Sequence, residues 1–485
     1  MPSDLKKKTA KGMLWSAVER FSTQGFQFLF GILLARLLTP NDYGMIAMLT
    51  IFMAVSQTFI DSGFGNALIR KPDRNEADKA TVFFFNIFMA AACYGVIFLA
   101  APFVAQFYRM PQLTDILRIL AINLIIQAFG SIQHLNLTID LNFKTLAKIS
   151  LIGVLAGGTA GLICAYNGLG VWSLVVQQII TTSTRVVLFW ILVHWRPKTF
   201  FNKKSFKDMF SFGSKLLASG LLNTLYDNVY DLIIGKAFSA ATLGNYSRAS
   251  HFANFPSSNI TGIFQRVTYP VLSKIQDDPE KLRKGYLKFL NMATLVIFPL
   301  MIGLAAVSKP LVLLVLTDKW VDVILILQII CIAQMWYPVH AINLNILQVM
   351  GRSDLFLKLE IIKKILGITV LCITLPHGII AMCFGQWVNA CFGLIINTYY
   401  SGKLLNAGLF PQLRMYIPTL LNSLVMGGIC ISITMVLPEQ EYAIQLFLGI
   451  AVGAIYYTLS NWIFNREIVL ELIELLNRKK SRRPS

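Results

Sequence analysis

Charged residues are scarce in this 485-residue sequence, at 14% of the total, whereas hydrophobic residues make up 55%. A soluble protein of this length could bury a large core, but it could not hide that much apolar surface. The apolar runs are long enough to cross a bilayer, since a transmembrane helix needs roughly 20 residues. The shortage of charge therefore excludes an ordinary soluble protein and indicates a polytopic membrane protein.

Motifs of several site classes are also missing. The seven cysteines, at positions 93, 164, 331, 372, 383, 391 and 430, contain no CxxC pair, and no paired histidines accompany them. This pattern argues against a disulfide framework or a zinc site. No GxxxxGK[ST] sequence is present, which argues against a nucleotide-binding P-loop and direct use of ATP. We therefore predict no catalytic residue and no metal site.

The apolar runs predict an all-α fold of about fourteen membrane-spanning helices. Short turns such as TPNDYG and LPHG separate neighbouring runs and predict antiparallel hairpins. The predicted spans are 12–37, 41–66, 79–107, 112–138, 144–166, 169–194, 206–236, 240–270, 283–308, 321–350, 354–375, 378–402, 413–437 and 441–464. The polar linker HWRPKTFFNKKSFKD marks a boundary between two lobes.

The 43 Lys and Arg residues are distributed unevenly between the two sides of these spans. Segments on the side of the N-terminus hold most of them, whereas the opposite loops hold only Arg36, Arg109, Lys236, Lys309 and Lys319. An excess of Lys and Arg in short loops marks the cytoplasmic side, so we expect both termini in the cytoplasm. Because the basic residues are spread over many loops, the net charge of +19 does not indicate a nucleic-acid partner.

The C-terminal stretch 465–485 contains apolar residues on one helical face and glutamates on the other. It predicts a short amphipathic helix along the inner leaflet, followed by basic residues that favour anionic membrane lipids. A solvated basic tail is the alternative interpretation.

A repeat of about two hundred residues relates the two halves of the chain. LLARLLTPNDYGMIAM matches IIGKAFSAATLGNYSRA at a shift of 200 residues, so that Gly44 falls on Gly244. LAKISLI and FLKLEII match at a shift of 210 residues. We predict a six-helix N-terminal lobe at 1–195, a parallel six-helix repeat at 206–405, and two further helices at 410–464. Duplicated lobes around a midplane site are common in secondary transporters.

Polar residues recur at helical spacing on the first helix and on its repeat partner. Charges at membrane depth cost about 2.5–3.5 kcal/mol each and face the bundle interior or water. We therefore expect the stripes to line a central cavity, although ion pairing between helices is the alternative, above all for Asp61. The predicted cavity residues are Glu19, Arg20, Gln24, Gln27, Asp61, Lys215, Asn223, Asp227, Asp231, Arg248 and His251.

Three stretches carry a resemblance to a known family. They are GMLWSAVERFSTQGFQFLFGILLARLLTPNDYGMIAML, DSGFGNALIRKPD and FQRVTYPVLSKIQDDPEKLRKGYLKFL. The chain resembles Wzx-type polysaccharide flippases, often called lipopolysaccharide biosynthesis or O-antigen proteins, of the multidrug/oligosaccharidyl-lipid/polysaccharide exporter superfamily.

The resemblance implies an inner-membrane protein that moves undecaprenyl-pyrophosphate-linked oligosaccharide by alternating access around a cationic cavity. It implies no cofactor other than a coupling ion, H⁺ or Na⁺, which Asp227 and Asp231 suit. The implied partners are the lipid-linked oligosaccharide, membrane lipids and the polysaccharide polymerase machinery. Arg suits phosphate oxygens through its forked geometry.

Three rival functions stay open. A membrane polysaccharide polymerase or ligase would need a large outer loop, and the predicted outer loops are short. A drug or cation exporter of the same superfamily typically has twelve helices, and a lipid II flippase is a third member of the group. The sequence thus favours a transporter over an enzyme.

Overall fold

The structure is a computed structural model that describes residues 3–438, 440–464, 466 and 470. Over these residues it consists of helices joined by short turns, which confirms the all-α prediction. The predicted amphipathic helix at 465–485 lies almost entirely outside the described residues.

Eighteen α-helices are described, and several predicted spans consist of two of them. In chain order they are α1 Ser3–Leu37, α2 Pro40–Asp61, α3 Phe64–Arg70, α4 Glu76–Tyr108, α5 Leu113–Ile139, α6 Phe143–Tyr166, α7 Trp172–Leu192, α8 Lys203–Asp227, α9 Val229–Ala237, α10 Ala240–Ser273, α11 Pro279–Ala306, α12 Ser308–Val315, α13 Val323–Gln334, α14 Tyr337–Val349, α15 Ser353–Thr374, α16 Ile379–Leu405, α17 Leu409–Val436 and α18 Tyr442–Phe464. Two 3₁₀ turns lie at Asp318–Trp320 and Leu375–His377.

Ten stretches of the described chain are long and apolar enough to cross a membrane. The predicted spans that fall short of this standard correspond to α1, α8 with α9, α10, and α15. In α1, in α8 with α9, and in α10, polar residues lower the mean hydropathy, whereas α15 contains too many charged residues. The chain is thus a multi-pass membrane protein, and the count of about fourteen spans stays a prediction.

Three predicted spans are interrupted by short breaks, one of them between α13 and α14. Ser62 (φ 39°) and Gly63 (φ 71°) end α2 in the left-handed region, which glycine adopts without steric cost. Gly63 also lies against α8, where an added Cβ would come within 3.0 Å of the Gly213 Cα. The predicted span 206–236 likewise breaks at Asn228, between α8 and α9.

The chain forms two compact units, Met1–Gly244 and Asn245–Ser485, termed here the N-terminal unit and the C-terminal unit. In the N-terminal unit, α6 packs on α1 and α7, α4 packs on α5, and α8 packs on α2 and α3. The predicted lobe boundary at the 196–205 linker and the duplication of six helices stay predictions.

The linker that precedes α8 is fixed to the start of α4. Trp195 Nε1 donates a hydrogen bond to Glu76 Oε1 (2.6 Å), and the backbone N–H of Asn202 donates to Thr81 Oγ1 (3.0 Å). Asp78, which is fully buried, pairs with Lys71 at 2.8 Å. The hydrogen bond that Lys71 donates to Asp78 raises the pKa of Lys71 above its ordinary value.

In the C-terminal unit, α17 packs on α11, and α18 packs on α17 and α12. A set of buried polar side chains joins α11, α14, α16 and α17. We call it the Gln412 network, and its members are Tyr286, Asn343, Ser401, Gln412 and Tyr416.

Four bonds of the Gln412 network are between 2.6 and 2.9 Å long. Gln412 Nε2 donates to Tyr286 Oη (2.9 Å) and to the carbonyl oxygen of Ala407 (2.8 Å). Tyr416 donates to Gln412 Oε1 (2.8 Å), and Tyr286 donates to Asn343 Oδ1 (2.6 Å). Buried polar groups satisfied in this way fix the packing of the helices that carry them.

Candidate functional site

The stripe on α1 does not point in a single direction. Glu19 is half-buried and accepts a hydrogen bond from Ser150 Oγ on α6 (3.1 Å). Gln24 has a buried Oε1 that lacks a hydrogen-bond partner in the described part of the chain. Arg20 is half-buried, whereas Gln27 is exposed. Glu19 therefore faces the interior of the N-terminal unit, and Gln27 lies on the exposed side of α1.

The stripe on α8 lies on an exposed face of the N-terminal unit. Lys215, Asn223 and Asp227 are exposed, and Asp231 on α9 is half-buried. Asp231 interacts electrostatically with Tyr108 of α4. On the side of α8 that faces α2, the hydroxyls of Thr224 and Thr58 lie 2.9 Å apart. Whether this face of α8 and α9 lines a central cavity stays a prediction.

Two predicted site residues belong to the C-terminal unit. The Arg248 guanidinium lies over the ring of Trp320, 6.0 Å from its centroid. His251 is exposed, and it interacts electrostatically with Arg248. The gathering of these two residues with the α1 and α8 stripes around one central cavity stays a prediction.

The N-terminal unit contains a cavity of about 480 Å³ among α2, α3, α4, α5 and α7. Of the predicted site residues, Asp61 lines it, and Gln57 Nε2 donates a hydrogen bond to Asp61 Oδ1 (3.0 Å). We call it the N-unit cavity, and its other polar lining residues are Asn66, Asn86, Gln127, Ser131, His134, Thr138, Thr182 and Arg185.

One side of the N-unit cavity is formed by the Arg185 guanidinium of α7 and the His134 imidazole of α5. The His134 ring stands edge-on to Phe189, with centroids 5.9 Å apart. The Arg185 stem crosses α6 at Gly153, where an added Cβ would come within 2.5 Å of the Arg185 Cγ. Arg185 interacts electrostatically with Glu19 and with His134. The cavity therefore combines one cation, one carboxylate and several neutral donors and acceptors.

A signal for these residues was present in the sequence but was not used. On α5, polar residues recur every three or four positions, and α7 has a similar run that ends in an arginine at membrane depth. The two runs are Asn123, Gln127, Ser131, His134 and Thr138, and Gln178, Thr182 and Arg185. Such spacing places side chains on one face of a helix. Neither run has an obvious counterpart in the repeat, which drew attention to α1 and α8 instead.

The turns that the repeat relates touch each other within the N-terminal unit. A Cβ added at Gly44 would overlap the carbonyl oxygen of Ala240, and one added at Gly244 would overlap that of Pro40. The contact is therefore reciprocal: each glycine lies against the start of the opposite helix, and only a residue without a side chain fits. We call this the turn contact.

No group of three His, Cys, Asp or Glu side chains that could hold a metal ion lies among the residues described. All seven cysteines are free thiols, at buried, half-buried or exposed positions. Polar side chains on membrane-crossing helices, collected in a cavity and along an exposed helical face, are the arrangement that membrane transporters use.

Comparison with known proteins gives the family. Residues 33–325 match the family model described as polysaccharide biosynthesis protein, and the chain belongs to this family. It is 26% identical to the teichuronic acid biosynthesis protein TuaB of Bacillus subtilis, over 94% of this chain and 95% of that protein. It is also 26% identical to the lipopolysaccharide biosynthesis protein WzxC of Escherichia coli, over 82% of this chain and 80% of that protein.

Solved structures show the same fold. The lipid II flippase MurJ in an inward closed conformation matches with a TM-score of 0.75 at 14% identity, over 94% of this chain and 100% of that chain. An inward-facing multidrug transporter of the MATE family and the MOP superfamily matches with a TM-score of 0.61 at 13% identity, over 81% and 98%. The family model and the WzxC relative confirm the resemblance to Wzx-type polysaccharide flippases, and the solved structures show the fold.

Proposed function

We propose that this chain moves undecaprenyl-pyrophosphate-linked oligosaccharide from the cytoplasmic to the outer leaflet of the bacterial inner membrane. The names of its relatives support a role in supplying surface polysaccharide, and the MurJ fold supports a lipid-linked substrate. The translocated lipid would then pass to the polysaccharide polymerase machinery. Both termini lie in the cytoplasm in this proposal, as the distribution of Lys and Arg predicts.

The turn contact is the observation that carries the mechanism. Alternating access requires one end of the pathway to close while the other opens. Two equivalent turns that meet at glycines provide such a closure, because a backbone contact without interlocking side chains separates and re-forms as the helices move. In the predicted orientation these turns lie on the outer side, so the closed contact belongs to an inward-open or occluded state.

Polar residues outside the turn contact suit the proposed substrate. Arg20 and Arg248 would hold pyrophosphate oxygens through forked hydrogen bonds. Gln24 and Asn223 would bind sugar hydroxyls. Asp227 and Asp231 would bind a coupling H⁺ or Na⁺, and a change in their charge would help to release the anionic lipid.

Deletion of the gene in its native cell tests the substrate. We expect lipid-linked oligosaccharide to accumulate and surface polysaccharide to disappear, and the wild-type gene on a plasmid to restore both. Arg20→Ala should fail to restore export while reaching near-normal levels in the membrane. Loss of the variant protein from the membrane would instead make Arg20 a structural residue.

Two other results of the deletion would favour a rival function. Unpolymerised oligosaccharide already exposed on the outer leaflet would indicate a polymerase or ligase. Unchanged polysaccharide together with a raised sensitivity to cationic drugs would indicate a drug exporter. Either result would contradict the proposed function.

A further inference from the structure

The N-unit cavity is not explained by the proposed pathway. Among the predicted pathway residues only Asp61 lines it, and its cation, Arg185, belongs to neither stripe. The cavity lies wholly within the N-terminal unit and is formed by α2, α3, α4, α5 and α7. The charged groups of the N-unit cavity therefore either pair with each other or bind a ligand that is not the transported lipid.

Internal pairing does not satisfy Arg185. Its Nε is buried without a hydrogen-bond partner in the described part of the chain. The ion pairs found there join other residues. Glu19 exerts a favourable field on the guanidinium, but its Oε1 is engaged by Ser150. A cation held at membrane depth with an open donor typically serves a binding or transport role.

The position of Arg185 is built by the packing of α6 on α7. Gly153 leaves room for the stem of the Arg185 side chain. Gly157 leaves room for Thr181, which lies one helical turn before Arg185 on α7. Any side chain at Gly153 would push the stem away, since even a methyl group would come within 2.5 Å of the Arg185 Cγ. The guanidinium is therefore directed by the helix contact rather than by a salt bridge.

The rest of the cavity wall favours hydroxyl groups. Asn86 is almost fully buried, its Nδ2 donates to Ser131 Oγ (3.3 Å), and its Oδ1 has no partner in the described chain. Gln127 and Thr182 add an amide and a hydroxyl, and Asp61 adds a carboxylate that accepts from hydroxyl donors. A volume of about 480 Å³ lies in the range of small-molecule sites.

We propose that the N-unit cavity binds a sugar that carries an oxyanion, either a phosphate or a carboxylate. The oxyanion lies at Arg185 and His134, where a guanidinium forms paired, charge-assisted hydrogen bonds. The sugar hydroxyls lie at Asn86, Gln127 and Asp61. This inference goes beyond the proposed function, because such a site would bind its ligand whether or not the chain moves a lipid-linked oligosaccharide.

Equilibrium binding to the purified full-length chain in phosphatidylcholine nanodiscs tests the site. The probes are glucose 1-phosphate and glucuronate, with glucose and inorganic phosphate as partial ligands. We expect at least one anionic sugar to bind at least about tenfold more tightly than either partial ligand, which corresponds to about 1.4 kcal/mol. Equal binding of glucose 1-phosphate, glucuronate and the partial ligands would overturn the proposal.

Two substitutions test whether the anionic sugar binds in the N-unit cavity. Arg185→Gln should weaken binding of the anionic sugar about tenfold or more, whereas Arg118→Gln should leave it unchanged. Arg118 is a suitable control because it lies outside the cavity, on the same unit, with its guanidinium 4.2 Å from the centroid of the Phe98 ring. Equal binding by wild type and Arg185→Gln would overturn the proposal.

A second pair of variants leaves Arg185 in place. It tests the site even if Arg185→Gln does not fold. Gly153→Ala should weaken binding by displacing the Arg185 stem, while Gly95→Ala, where an added Cβ meets no atom within 4 Å, should not. Undiminished binding by a folded Gly153→Ala protein would contradict the assigned position of Arg185.

The lipid composition of the nanodiscs distinguishes a lipid headgroup from a soluble ligand. Nanodiscs that contain phosphatidylinositol, whose headgroup is a polyol phosphate, should compete with glucose 1-phosphate if the ligand is a lipid headgroup. Binding without such competition supports a soluble sugar phosphate or sugar acid. Competition that persists in Arg185→Gln would show that the headgroup binds elsewhere and would overturn the headgroup assignment.

Discussion

Two polar clusters, the Gln412 network of the C-terminal unit and the N-unit cavity, differ in how their buried polar groups are satisfied. In the C-terminal unit, Gln412 bonds to Tyr286, Tyr416 and a backbone carbonyl, and the network closes on itself. In the N-terminal unit, Arg185 and Asn86 keep a buried atom without a partner in the described chain and line a cavity. Both arrangements consist of side chains that are costly to bury.

The difference separates structural polar groups from binding groups. A satisfied network costs nothing further and fixes how the helices pack. A buried donor that has no partner beside a cavity lowers the free energy of unfolding. Such donors are typical of sites where a ligand accepts the hydrogen bond. Composition does not distinguish the two cases, since both use amides and hydroxyls. The distinction comes from whether the partners lie in the protein.

The largest expected effect is that of Gln412→Leu. The substitution leaves the Tyr416 hydroxyl without its acceptor and removes the bonds of Gln412 to Tyr286, Asn343 and the Ala407 carbonyl. Each buried polar group left unpaired costs about 1–3 kcal/mol. We expect the free energy of unfolding, measured by SDS titration in mixed micelles, to fall by about 3 kcal/mol. A fall below about 1 kcal/mol would show that the network does not hold α17 in place.

Tyr286→Phe removes one member of the same network and tests its cooperativity. Its hydroxyl donates to Asn343 and accepts from Gln412, so we expect a loss of about 1.5 kcal/mol. Combined with Gln412→Leu, it should add much less than that amount, because the two side chains share a bond. Full additivity in the double-mutant cycle would argue against a connected network.

Ser150→Ala tests the surroundings of Glu19, which interacts with Arg185 of the N-unit cavity. It removes the hydrogen bond to Glu19, which is half-buried and keeps its electrostatic interaction with Arg185. The expected loss in free energy of unfolding is about 1 kcal/mol. A loss as large as that of Gln412→Leu would show that Glu19 and Arg185 form a structural pair. The N-unit cavity would then not differ from the Gln412 network in this respect.

Gln127→Leu has the smallest expected effect on stability. Gln127 lines the N-unit cavity and is exposed there, so its removal should change the free energy of unfolding by less than about 0.5 kcal/mol. It is the matched counterpart of Gln412→Leu, with the same substitution on a membrane helix. Equal destabilisation by both variants would contradict the distinction between a closed network and an open cavity.

The sequence predicted the helical architecture better than the site. Long apolar runs and Pro/Gly turns define helices without knowledge of their partners, and the repeat identified Gly44 and Gly244. The breaks at Ser62–Gly63 and Asn228 were not predicted, because apolar periodicity continues across them. Gly63 is explained only by the approach of Gly213 from a helix far along the chain.

The predicted cavity residues stay a prediction, because spacing along a helix does not define the direction of each side chain. Glu19 and Arg20 were treated as one stripe, yet Glu19 faces α6 through Ser150. Arg185 was overlooked because its helix lies outside the stripes that the repeat relates and its neighbours Glu19 and His134 come from α1 and α5. Gln412 resembles any other amide in the sequence. Whether a buried amide is satisfied depends on contacts between distant segments, which spacing along one helix does not reveal.

The most direct test of the proposed transport mechanism joins the substrate to the turn contact. Purified chain with Asn41→Cys and Ala241→Cys, on a background without native cysteines, is reconstituted in vesicles that hold a fluorescent undecaprenyl-pyrophosphate saccharide in the inner leaflet. Its appearance outside is followed by a lectin added to the medium. We predict translocation while the thiols are reduced, arrest when the disulfide forms, and recovery after reduction. Translocation at the full rate with the disulfide demonstrably formed would contradict alternating access at this contact, and no translocation by the reduced protein would contradict the flippase function.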